Sequence, residues 1–213
     1  RNFKRRDDTE LLNSIINDNN LPALYFCFSR KLTESKARST ARNRSLTSKD
    51  ERKQFEDIWQ QAKGEFQFND ERGAMADLHD ILERGIGYHH AGMLPQQKEI
   101  VERLFSKALI KLLYTTETFA MGINMPARST VIASLSKRTE RGHRPLMASE
   151  FLQMAGRAGR RGLDTQGYVV TVQSRFEGVR EAAQLATSPS DPLVSQFTPS
   201  YGMVLNLLQR HDL

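Results

Sequence analysis

The run Pro-Ala-Leu-Tyr-Phe-Cys-Phe at positions 22–28 most constrains what this chain can fold into. It is short, uncharged and without polar–apolar alternation, the pattern of a strand covered on both faces. Such a strand needs helices above and below it, and the flanking sequence supplies them. Residues 48–63 repeat Phe55, Ile58, Trp59 and Ala62 at helical spacing behind Ser48, a helix-capping residue type. Residues 77–83 read as a further helix ending at Gly85, and 86–90 as a short strand entering a loop at 91–94. A helix over 95–107 opens on Pro95 and carries one apolar stripe of Ile100, Val101, Leu104, Phe105 and Ala108. Strands are predicted at 110–115, 130–135 and 167–172, and helices at 149–156, capped by Ser149, and at 175–185. This alternation implies an α/β fold around a parallel sheet. Residues 187–199, with Pro189, Pro192 and Pro199 among Ser, Thr and Asp, read as a linker. The apolar stretch 201–208 then begins another packing unit.

Composition narrows the function classes. Of 213 residues, 31 are Lys or Arg and 25 Asp or Glu, a net charge of +6 that favours a polyanionic partner. The single cysteine, Cys27, excludes an internal disulfide framework and a Cys-rich zinc site, and its place in the first apolar run marks a core thiol. No apolar run approaches the ~18 residues of a membrane span, so no membrane partner is expected. The chain opens on Arg1 rather than Met, which reads as a piece of a longer polypeptide. A reducing compartment is expected, cytoplasmic, nuclear or organellar, and not a secreted one.

Three motifs carry chemistry. In Gln153-Met-Ala-Gly156-Arg157-Ala-Gly159-Arg160-Arg161-Gly162, glycines alternate with arginines behind a helical Gln. Glycine lets the backbone approach a ligand closely, and guanidinium forks match phosphate oxygens and never deprotonate. The stretch from Tyr114 through Thr115, Thr116, Glu117 and Thr118 to Pro126 follows a buried-type strand, so its threonines stand at the carboxyl edge of the sheet. Ligands of open α/β sheets bind there, and hydroxyls and free N–H groups can hold a nucleic-acid phosphate without reading a base. The third motif, residues 87–95, contains His89, His90 and Gly92. Adjacent strand residues point to opposite faces, and no second His or Cys pair stands at ligand spacing, so it reads as a phosphate-contacting turn and not a metal site.

In this order these stretches resemble the second RecA-like domain of superfamily-2 helicases, and most closely the superkiller-type DExH-box RNA helicases. The resembling runs are FCFSRK at 26–31, GIGYHHAGMLP at 85–95, TETFAMGINMPA at 116–127 and QMAGRAGRRG at 153–162. The closing DPLVSQFTPSYGMVLNLL is similar to the family's passage from a linker into a winged-helix domain. The resemblance implies a RecA-like domain over 1–186 and the start of the next, winged-helix unit over 187–213. It implies that Arg157 and Arg160 reach the phosphates of ATP bound by an upstream RecA-like domain. Arg160 is then the finger, with Gln153 near the γ-phosphate and Gly122 and Asn124 bordering the nucleotide. Ser29, Arg30, His90, Gly92, Thr116 and Glu117 would follow the RNA backbone, mainly single-stranded, and an RNA-decay or processing complex would be the setting.

The sequence also departs from a complete motor. It contains no G-x-x-x-x-G-K-[ST] loop, and neither Asp50-Glu51 nor Asp70-Glu71 continues into a DExH box. Phosphate cradle and Mg²⁺ ligands are thus expected in the upstream domain, and these residues alone should not hydrolyse ATP. The basic stretch 30–44 reads equally as RNA path or solvated helix face, and 137–144 as a flexible basic surface loop, with a hold on RNA or an acidic partner as the alternative. Trp59 with Phe55, Phe66 and Phe68 reads as core and not as base-stacking aromatics. A DNA repair helicase of the same superfamily and a non-catalytic RNA-binding scaffold remain the alternatives.

Overall fold

The computed structural model describes residues 8–122, 125–139, 142–174, 177–189 and 200–210. From the amino end come α1 (Asp8–Asn17), β1 (Ala23–Cys27), α2 (Arg30–Asn43), α3 (Lys49–Phe66) and α4 (Ala74–Leu82). Next are β2 (Ile86–His89), α5 (Pro95–Ser106), β3 (Leu112–Thr116), α6 (Thr118–Gly122) and β4 (Ser129–Ile132). A pair of short strands, β5 (Ser136–Thr139) and β6 (Gly142–Pro145), leads to α7 (Ala148–Ala155). The last elements are β7 (Tyr168–Thr171), α8 (Val179–Thr187) and α9 (Tyr201–Arg210).

The main sheet has five strands in the order β2-β3-β1-β4-β7, and every pairing in it is parallel. This is the parallel α/β sheet flanked by helices that the alternation of the sequence implied, and it is RecA-like, as the resemblance implied. Every residue of β1 is buried, Cys27 included, because helices cover both faces of this central strand. Parallel pairing puts the ends of β1, β2 and β3 at one edge, with Cys27 opposite Thr116 and His89 opposite Thr115. The threonines therefore do stand at the carboxyl edge.

The basic stretch forms helix α2. It buries only small residues, Thr33, Ala37, Thr40 and Ala41, so it lies close on the sheet, and the Thr40 hydroxyl pairs with that of Tyr114 at 2.7 Å. Arg30, Lys31 and Arg42 are exposed, while Lys36 and Arg38 are half-buried over the rings of Tyr25 and Tyr88. Helix α3 opens on a complete capping box between Ser48 and Glu51 and buries Phe55, Trp59 and Ala62. Trp59 is fully buried, with its indole N–H donating to Asp70 at 2.7 Å, so the aromatic group is core.

Several boundaries differ from those the sequence suggested. Helix α5 ends at Ser106, and Ala108 leaves the expected stripe for a left-handed turn at φ 56°. Helix α7 is capped at Met147 and not at Ser149: Glu150 accepts from the Met147 backbone N–H at 2.9 Å, so the first turn closes earlier. The basic stretch expected to be a flexible loop forms the antiparallel pair β5–β6, with Lys137 opposite Arg144. Helix α8 starts at Val179, later than predicted, and α9 exposes Tyr201, Met203, Leu205 and Leu208. Most of the predicted linker lies outside the described residues. Among those described, no helix is long and apolar enough to cross a membrane.

Candidate functional site

At the carboxyl edge the chain leaves β1 through Ser29, whose Oγ accepts from the Leu32 N–H at 3.1 Å and caps α2. Arg30 follows on the first turn, exposed, and its guanidinium lies over Gly92. A Cβ at position 92 would stand 3.0 Å from Nη1 of Arg30, so glycine leaves the space this arginine uses. Gly92 N–H donates to Nδ1 of His90 at 3.1 Å, which assigns the ring proton to Nε2, 2.9 Å from Glu34 Oε1 on α2. His90 is thus a buried strut that shapes the turn under Arg30. His89 points to the other face, as strand geometry required, with Nε2 2.9 Å from Glu102 on α5. Burial pushes the His89 pKa below the ordinary histidine value against the upward pull of Glu102, and its Nδ1 is buried without a hydrogen-bond partner.

A groove of about 340 Å³ opens beside this turn, lined among others by Ser29, Arg30, Thr116, Glu117, Lys137 and Arg138. The structure thereby brings together four residues picked from separate motifs, Ser29, Arg30, Thr116 and Glu117, and sets Gly92 and His90 behind Arg30. Thr116 and Thr118 share a hydroxyl hydrogen bond of 2.9 Å, fixing the turn that opens α6. The Glu117 carboxylate is engaged by Lys137 Nζ at 2.7 and 2.8 Å. A carboxylate repels phosphate, so anything Glu117 offers a polyanion in this state comes from its backbone.

The sequence placed Lys137 in a basic surface loop but gave no sign that it bridges two carboxylates. Its Nζ also lies 2.7 Å from Glu150 Oε1, and Arg144, opposite on β6, grips the same carboxylate in a fork of 2.6 and 2.9 Å. Burial opposes charge on Lys137, but the hydrogen bonds to Glu117 and Glu150 outweigh it and raise its pKa. Burial likewise works against ionising Glu150, yet Arg144, Lys137 and the Met147 N–H together bring it down to about 2. The strand pair is therefore clamped to the first turn of α7, the helix that carries Gln153.

Gln153 is exposed on α7, which ends at Gly156. Beyond it the arginine run is laced to the segment after Pro126: Ala127 N–H donates to Arg157 O at 2.9 Å, Gly159 N–H to Ala127 O at 2.7 Å, and Ala127 bridges Ala158. Gly159 adopts φ 89°, open to glycine, and Gly167 packs so closely that a Cβ there would sit 2.5 Å from Gly159 N. Arg157 Nη2 donates to the Ala120 carbonyl of α6. Arg160 is held by Asp164, which accepts from its backbone N–H at 3.0 Å, Nε at 2.8 Å and Nη2 at 2.9 Å. Asp164 is a residue the sequence reading missed. The only signal for it was an acid four places beyond an arginine. The hydrogen bonds from Arg160 outweigh burial and bring the Asp164 pKa down to about 2. Gly122 ends α6, and Asn124 lies outside the described residues.

This donor set fits phosphate oxygens. It provides no cage for a divalent ion: among the described residues, no group of three or more His, Cys, Asp or Glu converges.

Sheet and motifs together define the class. Residues 67–162 match the helicase conserved C-terminal domain, and the chain carries such a domain of the superkiller type, as its four motifs implied. It is similar to Superkiller complex protein 2 of Homo sapiens, 39% identical over 93% of this chain, and to the exosome RNA helicase MTR4 of Homo sapiens, 37% identical over 96%. Over 60% of its length it is 56% identical to the chloroplastic DExH-box ATP-dependent RNA helicase DExH15 of Arabidopsis thaliana. The chain spans only 16%, 20% and 11% of those three proteins, respectively.

Proposed function

We propose that this chain is the second motor domain of an ATP-dependent RNA helicase. Residues 1–186 form the RecA-like domain, and 187–213 lead through a linker into a winged-helix unit. An upstream RecA-like domain of the same polypeptide binds ATP and holds its Mg²⁺. Arg157 and Arg160 complete that site when the domains close, with Arg160 as the finger that neutralises charge on the transferring phosphoryl group. Gln153 gives a polar contact beside the γ-phosphate, and Gly122 and Asn124 border the nucleotide. On the other side Ser29, Arg30, Gly92, Thr116 and the Glu117 backbone hold single-stranded RNA by its phosphates, with His90 setting the turn. Reopening after hydrolysis lets the domain take a new grip on the strand, which gives movement. The chain alone, lacking the phosphate cradle, does not hydrolyse ATP.

The observation that carries this reading is the Arg157–Ala120 contact. Helix α6 begins at the groove, and Arg157 of the arginine run donates to the Ala120 carbonyl within it, so polyanion and nucleotide chemistry meet on one short element. The relatives named as RNA helicases favour RNA over DNA, and those named for the superkiller complex and the exosome favour an RNA-decay or processing setting.

The test is ATP turnover by the full-length protein with single-stranded RNA, with DNA and with neither, beside Arg160→Ala. RNA-stimulated turnover that falls ~10³-fold in the variant is expected, the usual worth of an arginine finger. Equal stimulation by DNA would return the DNA repair reading. Turnover indifferent to Arg160 would leave the arginine run a basic surface and the domain a scaffold.

A further inference from the structure

We infer that Asp164 is a positioning residue that aims Arg160, an inference that rests on the finger reading above. Arginine has five N–H donors in a rigid plane. Asp164 engages Nε and Nη2 along one edge of that plane, at 2.8 and 2.9 Å. A guanidinium gripped in this way cannot rotate about its own axis, and its Nη1 edge is left to face outward in a fixed direction. Without the grip, an arginine has rotamer freedom to lose before it can meet developing charge. Donors set in place beforehand act in the transition state without that reorganisation.

The surroundings keep Asp164 in the form this role needs. Its side chain is 1% exposed, while that of Arg160 is 24% exposed, so the anchor is sealed and the anchored group reaches the surface. Arg128 supplies a second cation, with Nη1 3.6 Å from Asp164 Oδ1. Two guanidiniums around one carboxylate leave a net positive charge, so holding Arg160 does not cancel its attraction for phosphate. The same carboxylate accepts the Arg160 backbone N–H, and Asp164 N–H returns to Arg160 O at 2.9 Å, which ties the aim of the side chain to the turn that bears it.

Asp164 could instead only staple that turn, and the test separates the two roles. In the full-length protein with saturating RNA, Asp164→Asn keeps an oxygen for the backbone N–H but breaks the charged fork. The expected result is a fall in kcat of about tenfold to a hundredfold, the usual cost of losing an outer-shell partner. KM for ATP and the affinity for ADP should stay put, while affinity for ADP with aluminium fluoride, a mimic of the transferring phosphoryl group, falls with kcat. Asp164→Glu keeps the charge and displaces the fork, and is expected to lose kcat while its affinities for ADP and RNA hold. Added to Arg160→Ala, the Asp164→Asn change should cost nothing more. If Arg160→Ala itself leaves kcat intact, the finger reading has failed, and this inference with it. If Arg160→Ala is crippled while both Asp164 variants turn over normally, the aiming role alone is overturned. Parallel losses of ADP affinity, RNA affinity and melting temperature in both variants, or additive losses in the double variant, also overturn it, because a mere staple gives those.

Discussion

The clamp on Glu150 makes a stability prediction whose size and pH dependence both follow from its contacts. Glu150 accepts from Arg144 twice, from Lys137 once and from the Met147 backbone, with its side chain only 16% exposed. A folded pKa of about 2 against an ordinary 4.5 corresponds to about 3 kcal/mol, at ~1.4 kcal/mol per unit. Because the folded value is the lower one, the unfolded chain binds more protons as pH falls. The contribution is therefore complete above pH 4.5 and drains away toward pH 2. Glu150→Gln should lose roughly 2–3 kcal/mol at pH 7, and roughly 5–10 °C in Tm for a chain of this size. The assay is urea unfolding of the 213-residue chain and the variant from pH 7 to pH 2.5. Asp164, also held near pH 2, titrates in both proteins and cancels in the difference. The two stabilities should converge below pH 4.5. A gap under ~0.5 kcal/mol at pH 7 would refute the reasoning and make the clamp an ordinary surface pair. A gap of constant size down to pH 2.5 would refute it as well, by showing that charge is not the cause.

Two other perturbations probe the geometry. Gly167→Ala forces a Cβ to within 2.5 Å of the Gly159 nitrogen, so it should cost about 2 kcal/mol in chemical denaturation and displace the arginine run; full stability would mean the two segments are not in contact in solution. Binding of single-stranded RNA should weaken with salt with a log–log slope of about −2, since only a few cations border the groove and each counts for about 0.7 on a single strand. Arg30→Ala should make that slope shallower by about 0.7, and an unchanged slope would remove Arg30 from the interface.

What could be read from the sequence divides along one line. Strand β1, the cap at Ser48 and the burial of Trp59 were legible because each depends on apolar spacing or on a local cap. The carboxyl-edge threonines were legible for a related reason: a parallel sheet fixes which end of a strand faces the ligand. The β5–β6 pair was not, because in Ser136–Thr139 and Gly142–Pro145 the residues that matter are charged, and their partners Glu117 and Glu150 lie on other elements. Alternation of charge with charge leaves no hydrophobic period to detect. The cap of α7 was misplaced for the same cause: Glu150 reaching back to Met147 outweighs the intrinsic preference for Ser149. Arg160 was legible as a phosphate-binding type, but the acid that holds it sits past Gly162, where a glycine-rich turn gives no register to count by.

Charge pairing also sets how the candidate site can move. Lys137 joins the turn after β3 to the first turn of α7, Arg157 joins the end of α7 to α6, and Ala127 is laced to the arginine run by backbone hydrogen bonds. Together these links tie the groove-side turn, α6 and the segment after Pro126 to α7 and the arginine run. Sliding one side against the other would break the Lys137 bridge and leave Glu117 without its cation, while Glu150 keeps the Arg144 fork. On the proposed reading, a nucleotide-driven motion that spares these links carries groove and arginines together, as a rotation of the whole domain about its connections. On the proposed reading, the step along RNA is then set by how far this body travels between open and closed states, and the Lys137 bridge is what keeps that travel from being absorbed inside the domain.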